Sequence, residues 1–402
     1  MSIFAQWGVT PVINATGSVT RLGGAIMPPE VLAAFTAAAN DAGSLEEVQV
    51  AASRVLARHT GAAAGIVTAG CAAGLTLGAA AIIAGLDAGR MERLPRPAAG
   101  DRQEFLVSRE QRNGYDHAVR AAGATLVEVG FNEIVSNAGV RRTETWEYAA
   151  AITERTAGIL YVASPDARPR LQEVVDLAHR HCLPVLVDAA GEVLPRNTLP
   201  DLVATGADLV TCSGGKALRG PQSTGILCGR ADLVGSALLQ MLDMDDHPEL
   251  WSPPALLPEP RRLFGQPRHG LGRGFKVSKE EIAALLTAVE LFYTGHYDRE
   301  WHRQREWLQT IADQIPAPSQ VVWHDDSPAG QRPPQLEIVV AESSLRRTAF
   351  DICRALREGT PRIYVGHGRL SDGRLFVHPL CLNGQRAGEV ARRLREELSA
   401  TA

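Results

Sequence analysis

Short apolar runs alternate with longer amphipathic stretches along most of the chain. Ala64-Gly-Ile-Val-Thr68, Glu104-Phe-Leu-Val-Ser108, Thr125-Leu-Val-Glu-Val129, Gly158-Ile-Leu-Tyr-Val-Ala163, Pro184-Val-Leu-Val-Asp188 and Asp208-Leu-Val-Thr-Cys212 are the clearest runs. Segments with helical spacing lie between them: Gly74–Ala84, 115–122, 144–153, 168–181 and a short piece near Asp201. Continuous apolar strands separated by helices of roughly ten to fifteen residues predict a parallel sheet covered on both faces. Thr224-Gly-Ile-Leu-Cys228 follows the last run after only a short loop, so it is expected to enter as an antiparallel strand. The fold class is therefore α/β, with a mostly parallel seven-stranded sheet.

Three regions flank or interrupt this pattern. Residues 1–45 form an extended, glycine-punctuated arm, Val12-Ile-Asn-Ala-Thr-Gly17-Ser-Val-Thr-Arg21-Leu-Gly-Gly24, with a helix opening at Pro28-Pro29. Its polar side chains suggest an arm that wraps its own domain or a neighbouring subunit. The stretch 231–274 is rich in Pro, Arg and Gly and is expected to be a boundary and active-site cover. Ser278 then caps a helix running to about Tyr293, and smaller strands and helices continue to the end (335–340, 346–358, 362–365, 374–378 and a last helix from Gln385). The expected organisation is an arm (1–45), a large domain (46–274) and a smaller α/β domain (275–402).

With 402 residues and 45% apolar content the chain can bury a large core, and a net charge of −4 gives no general attraction to nucleic acid. No apolar run reaches the roughly 18 residues a membrane span requires, and the first residues lack a signal-peptide pattern. The six cysteines have no C-x-x-C spacing, which points to reduced core thiols of a cytoplasmic protein and to no metal site.

Lysine changes the picture. It occurs at only 216, 276 and 279 among 41 basic residues. An ammonium can lose its proton and attack a carbonyl, whereas a guanidinium cannot. Lys216 follows an apolar run and sits beyond two glycines, at the expected carboxyl end of a strand, where open α/β sheets bind ligands. Upstream, Asp188 ends another apolar run. A carboxylate there can hold a pyridinium nitrogen, although an N-cap or loop aspartate would look the same. The turn Thr68-Ala-Gly-Cys-Ala-Ala73 opens a helix whose free N–H groups can hold a phosphate, although such turns are also common as structure. Together, in this order, the three match what a pyridoxal 5'-phosphate enzyme requires.

On Val12-Ile-Asn-Ala-Thr-Gly17, Thr68-Ala-Gly-Cys-Ala-Ala73, Arg112-Asn-Gly-Tyr-Asp-His117, Val187-Asp-Ala-Ala190, Ser213-Gly-Gly-Lys216 with Gly220-Pro-Gln222, and Phe275-Lys-Val-Ser-Lys-Glu-Glu281, the chain resembles a known family. This is the selenocysteine synthase-like group of fold-type I (aspartate aminotransferase-like) pyridoxal phosphate enzymes, nearest its D-glucosaminate-6-phosphate ammonia-lyase-type members. The synthase's additional tRNA-binding region is expected to be absent. The resemblance implies that Lys216 forms the internal aldimine and shuttles the α-proton, and that Asp188 holds the pyridinium. It places Gly70, Cys71, Ala72 and Ser213 around the phosphate and lets Gln222 and Thr224 reach that site from a neighbouring subunit. His117 or Tyr115 stacks on the ring, or packs on the sheet as a helix-face residue. Arg21, Arg112, Arg273 and Arg369 are candidate anchors for a substrate carboxylate, and His367 and His378 are structural or functional with equal claim.

The reaction expected is α-proton abstraction from an amino acid followed by β-elimination to a 2-oxo acid and ammonia. Aldol cleavage, racemisation and β-replacement by selenium or sulfur pass through the same first steps and stay open. Outside the group, a cofactor-free Schiff-base enzyme and an inactive binding protein are the alternatives. A small-molecule substrate and a homodimer or higher homo-oligomer are expected, with active sites at the subunit interface and no nucleic-acid or membrane partner.

Overall fold

The computed structural model describes residues 3–131, 142–257, 268–324 and 332–400. Two compact units divide the chain: Met27–Glu290, and Met1–Ile26 with Leu291–Ala402. The first strand, β1 (Val12–Ala15), belongs to the smaller unit. The larger contains β2 (Ala64–Thr68), β3 (Glu104–Ser108), β4 (Thr125–Val129), β5 (Thr156–Val162), β6 (Val185–Asp188), β7 (Leu209–Ser213) and β8 (Gly225–Gly229). These form one seven-stranded sheet in the order β2-β8-β7-β6-β5-β3-β4. β8 runs antiparallel to both neighbours, and the pairs β7-β6, β6-β5, β5-β3 and β3-β4 are parallel. The expected mixed sheet is therefore present, with its reversed strand where the short Ser213–Thr224 loop required it.

Burial explains why so few of these strands alternate. β2, β6 and β8 are buried at every position, which demands apolar or small side chains on both faces. The helix Gly70–Ala84 lies on the sheet, and twelve of its fifteen residues are buried. Glycine allows it to approach: a Cβ at Gly74 would stand 2.1 Å from Thr211 Oγ1, and one at Gly78 would stand 2.8 Å from Leu186 Cδ1. Its Ala and Gly content thus follows from contact with β6 and β7.

The region expected as a boundary and cover begins with structure. Ala231–Met241 is a helix with nine buried residues, packed into the main core through Val234, Ala237, Leu238 and Leu239. The Pro- and Arg-rich residues beyond it had masked this apolar run, and 258–267 lies outside the described residues. The helices Ala88–Arg93 and Asp298–Ala312 were likewise not expected.

The smaller unit holds β9 (Gln320–His324), β10 (Gln335–Val339), β11 (Arg362–Val365) and β12 (Arg374–Val377). β9, β10 and β12 form an antiparallel sheet, while β1 pairs in parallel with β11. The arm is consequently not a polar wrap throughout. Ile13 and Ala15 join the core of this unit, whereas Ile3, Phe4, Trp7 and Val9 are exposed. The unit limits also differ from the expected 45 and 274. β1 ties the start of the arm to β11, and Lys279 Nζ donates to the Ala38 carbonyl (2.7 Å), joining the Pro29–Ala39 helix to the Lys279–Tyr293 helix of the larger unit.

Because the helix–sheet contact at Gly74 leaves no room for a methyl group, Gly74→Ala is expected to lose about 1–3 kcal/mol of unfolding free energy. Urea denaturation checks this, and an unchanged midpoint would mean that the helix can shift away from Thr211.

Candidate functional site

The carboxyl ends of β2, β6 and β7 come together with the start of β8. After Thr68 the chain turns through Gly70, whose φ of +85° suits glycine, directly into the Gly70–Ala84 helix. The helix thus starts at the turn and not at Gly74. It has no acidic residue in its first turn and no side-chain cap, so its first backbone N–H groups are left without a partner from its own sequence. β8 presses against it: a Cβ at Gly225 would stand 2.4 Å from the Gly70 carbonyl carbon and 2.6 Å from Cys71 N. Thr68 Oγ1 donates to the Gly70 carbonyl (2.9 Å). Thr211 Oγ1 donates to the Ile226 carbonyl (2.8 Å) and lies 3.5 Å from the Cys71 carbonyl. Ser213, half-buried, ends β7 opposite Gly225. A loop with open N–H groups and no negative charge is what a phosphate ester requires.

Asp188, 5% exposed, is the last residue of β6. Its Oδ1 accepts the Ala190 N–H (2.9 Å) and the Cys71 thiol (3.5 Å), and no other hydrogen bond reaches the carboxylate among the described residues. Burial raises its pKa above the usual carboxylate value, against the Ala190 and Cys71 hydrogen bonds and the charge of Lys216, which lower it. Burial, and then the neighbouring Asp188 charge, pushes the Cys71 thiol well up, so it stays protonated and donates. A buried carboxylate with donors on one oxygen only suits a cationic ring N–H on the other.

Lys216 lies in the loop that joins β7 to β8. Gly214 and Gly215 precede it and have no room for side chains: their Cβ atoms would stand 2.3 Å from Thr224 Oγ1 and 2.4 Å from Gln222 Cα. The loop is closed by Gly214 N–H to the Thr224 carbonyl (2.8 Å), Gly220 N–H to Gly214 (2.9 Å) and Arg219 N–H to Lys216 (3.0 Å). A Cβ at Gly191 would fall 3.7 Å from Lys216 Nζ, which puts the ammonium beside the segment that follows Asp188. Lys216, Asp188, Gly70, Cys71, Ala72, Ser213 and Gln222 thus belong to one neighbourhood. Thr224 is different, since it is buried and its hydroxyl donates to Pro221 within its own loop (2.7 Å).

Tyr115 is 59% exposed, and His117 is exposed with its ring nitrogen 3.1 Å from an Arg120 Nη. Among the described residues neither is hydrogen-bonded to Asp188, Cys71 or Lys216. Arg112 pairs with Asp116 (2.6 Å) and Glu128, and Arg273 pairs with Asp243. In the smaller unit, Arg369 pairs with Asp372 (2.9 Å), while Arg21 lies over the Tyr364 ring (5.2 Å to its centroid). His367 is exposed. The His378 ring packs on Gly17 and its Nδ1 accepts the Leu380 N–H (3.2 Å); burial lowers its pKa to about 4, as befits a neutral structural histidine.

Sequence reasoning missed three contributors. The Cys71 side chain, not only its backbone, serves Asp188. Gln49 clasps Val67 by two hydrogen bonds (2.9 Å each) just before the turn. Gln111 Oε1 accepts the Val162 N–H (2.9 Å) in the strand beside Asp188. None carries a sequence signal, because each depends on a partner distant in the chain.

A family described as "SelA: L-seryl-tRNA selenium transferase" matches residues 116–244. Over 98% of its length the chain is 32% identical to 5'-C-glycyluridine monooxygenase-decarboxylase from Streptomyces sp, covering 92% of that protein. It is 27% identical to D-glucosaminate-6-phosphate ammonia lyase from Salmonella typhimurium (strain 14028s / SGSC 2262), covering 98% of this chain and 97% of the relative. A solved D-glucosaminate-6-phosphate ammonia-lyase superposes with a TM-score of 0.79 at 26% identity, over 99% of this chain and 98% of that one. An aspartate aminotransferase of Thermus thermophilus shares the fold (TM-score 0.51, 16% identity, 99% of both chains).

The burial of Asp188 has a consequence for stability. With its pKa raised, the ionised carboxylate costs stability above that value, and the cost disappears as pH falls toward the unfolded value of about 4. Asp188→Asn in the cofactor-free protein is therefore expected to be at least as stable as the parent at neutral pH, with the two converging in acid. Urea midpoints across that range test it; a lower neutral-pH midpoint for D188N would contradict the burial cost.

Proposed function

The chain belongs to the selenocysteine synthase-like fold-type I pyridoxal phosphate enzymes, and from that premise we propose that it is a lyase that removes the α-proton of an amino acid and eliminates a β-substituent, giving a 2-oxo acid and ammonia. The observation that carries this is the convergence of Lys216, buried Asp188 and an uncapped helix N-terminus at the carboxyl ends of β7, β6 and β2. Bound pyridoxal phosphate supplies an aldehyde and an electron-withdrawing ring that acidifies the α-carbon. Lys216 would hold that aldehyde and would carry the proton at the substrate's α-carbon. Asp188 would keep the ring nitrogen protonated. The first turn of the Gly70–Ala84 helix and the Ser213 hydroxyl would hold the phosphate.

Of the four candidate arginines, Arg21 alone has no carboxylate partner among the described residues, so its guanidinium is available to a carboxylate ligand. Arg112, Arg273 and Arg369 would each have to break an ion pair first. Tyr115 and His117, exposed at the start of a helix that Thr76 Oγ1 binds through the Ala118 carbonyl (2.7 Å), are the candidates for the ring face. No helix of the described residues is long and apolar enough to cross a membrane. We place the protein in the cytoplasm as a homo-oligomer, a state supported by the exposed Ile3, Phe4 and Trp7 of the arm.

One observation favours a second reading. The 32% identical relative is named a monooxygenase-decarboxylase, and the corresponding reading for this chain is loss of the substrate carboxylate as carbon dioxide, with oxygen consumed. Ammonia with 2-oxo acid marks the first reading, and carbon dioxide with oxygen uptake marks the second.

Borohydride reduction followed by peptide mass mapping is expected to find a pyridoxyl group on Lys216, and a panel of D- and L-β-hydroxy amino acids is expected to yield 2-oxo acid. An adduct elsewhere, or none, would end the proposal. Asp188→Asn is expected to weaken cofactor binding by about 1.5–3 kcal/mol, or roughly 10- to 100-fold, as loss of one charge-assisted hydrogen bond. Spectroscopic titration of the apoprotein measures it.

A further inference from the structure

A cavity of about 540 Å³ opens at the amino ends of the large sheet's parallel strands, within the roughly 300–1,000 Å³ range of small-molecule sites. Ala157 near the start of β5 and Pro184 just before β6 line it, as does Arg230 just after the reversed β8. It therefore lies at the amino ends of the parallel strands, away from Asp188 and Lys216 at the carboxyl ends. Three guanidinium groups, Arg90, Arg102 and Arg230, line it with the carboxylate of Asp101, while Asp87 stands near Arg90, and Asp208 and Asp232 pair with Arg230.

These cations are not equally committed. Arg230 is fixed by Asp208 (2.9 Å) and by both oxygens of Asp232 (3.1 and 2.6 Å), which makes it a rigid wall with N–H groups to spare. Arg90 Nε stands 3.7 Å from both Asp87 and Asp101, too far for a hydrogen bond. Arg102 is exposed and has no acidic partner among the described residues. Gly100, at φ +94° with nothing within 4 Å of where a side chain would be, leaves one side open to an approaching ligand.

We propose that this cavity binds a small multiply charged anion, an oligophosphate or polycarboxylate, between Arg102 and Arg90 against the Arg230 wall. Guanidinium forks match the paired oxygens of either group. The site is separate from the lyase centre and does not depend on the reading given for it.

Cys182 lines the same cavity and provides the readout, because it is the exposed cysteine of the six and the other five are buried. Native cofactor-loaded protein is treated with a maleimide, and labelling of Cys182 is followed by peptide mass. The arms are inorganic triphosphate, citrate and chloride at matched ionic strength. Triphosphate is expected to slow labelling severalfold if the natural ligand is a phosphate ester, and citrate if it is a polycarboxylate. Arg102→Gln and Arg90→Gln, which break no short ion pair, should abolish the protection with an unchanged unfolding midpoint. Equal slowing by chloride, no slowing by either anion, or protection that survives both substitutions would overturn the site.

Discussion

A carboxylate held out of water governs the architecture around the candidate centre. Asp188 is ionisable, almost fully buried and supplied with donors at one oxygen only. A protein tolerates such a group where a strand end fixes it and nearby cations and N–H groups offset the loss of hydration. β6 provides the strand end, Ala190 the backbone donor, Cys71 a thiol made a reliable donor by its own burial, and Lys216 the positive charge. The rest of the large sheet positions these four groups.

Close backbone packing does that positioning. The Gly70–Ala84 helix lies against β6 and β7 at Gly74 and Gly78, and β8 approaches its first turn at Gly225. Each contact replaces a side chain with backbone, which draws the Gly70 turn, the carboxylate and the lysine loop into one neighbourhood without a large residue between them. The small-residue composition of this part of the chain is thus a packing requirement.

The sheet was legible because strands buried on both faces leave continuous apolar runs, and the short loop before Gly225 announced the reversed strand. Lys216 and Asp188 were legible for a chemical reason: lysine is scarce here, and their spacing accommodates one helix and one strand. Less was visible where meaning depends on distant partners. The Cys71 thiol matters through Asp188, 117 residues later. Three of the four arginines chosen as substrate anchors proved to be paired with acids, which their local sequence could not reveal among so many arginines. The Ala231–Met241 helix escaped notice because the Pro- and Gly-rich stretch after it dominated the composition, and β9 because its half-buried, alternating positions resemble a surface loop.

The pairing of Val12 with Arg362 affects how the chain can be made. About 350 residues must be translated between the two strands, which at roughly 5–20 residues per second takes on the order of 20–70 s. Throughout that interval the nascent amino-terminal strand has no native neighbour, while Met27–Glu290 already contains every strand of its own sheet. Birth order therefore favours early completion of the lysine-bearing body. The unit closed by β1 and β11 must wait for β11 to leave the ribosome, with β1 lacking its sheet partner in the meantime.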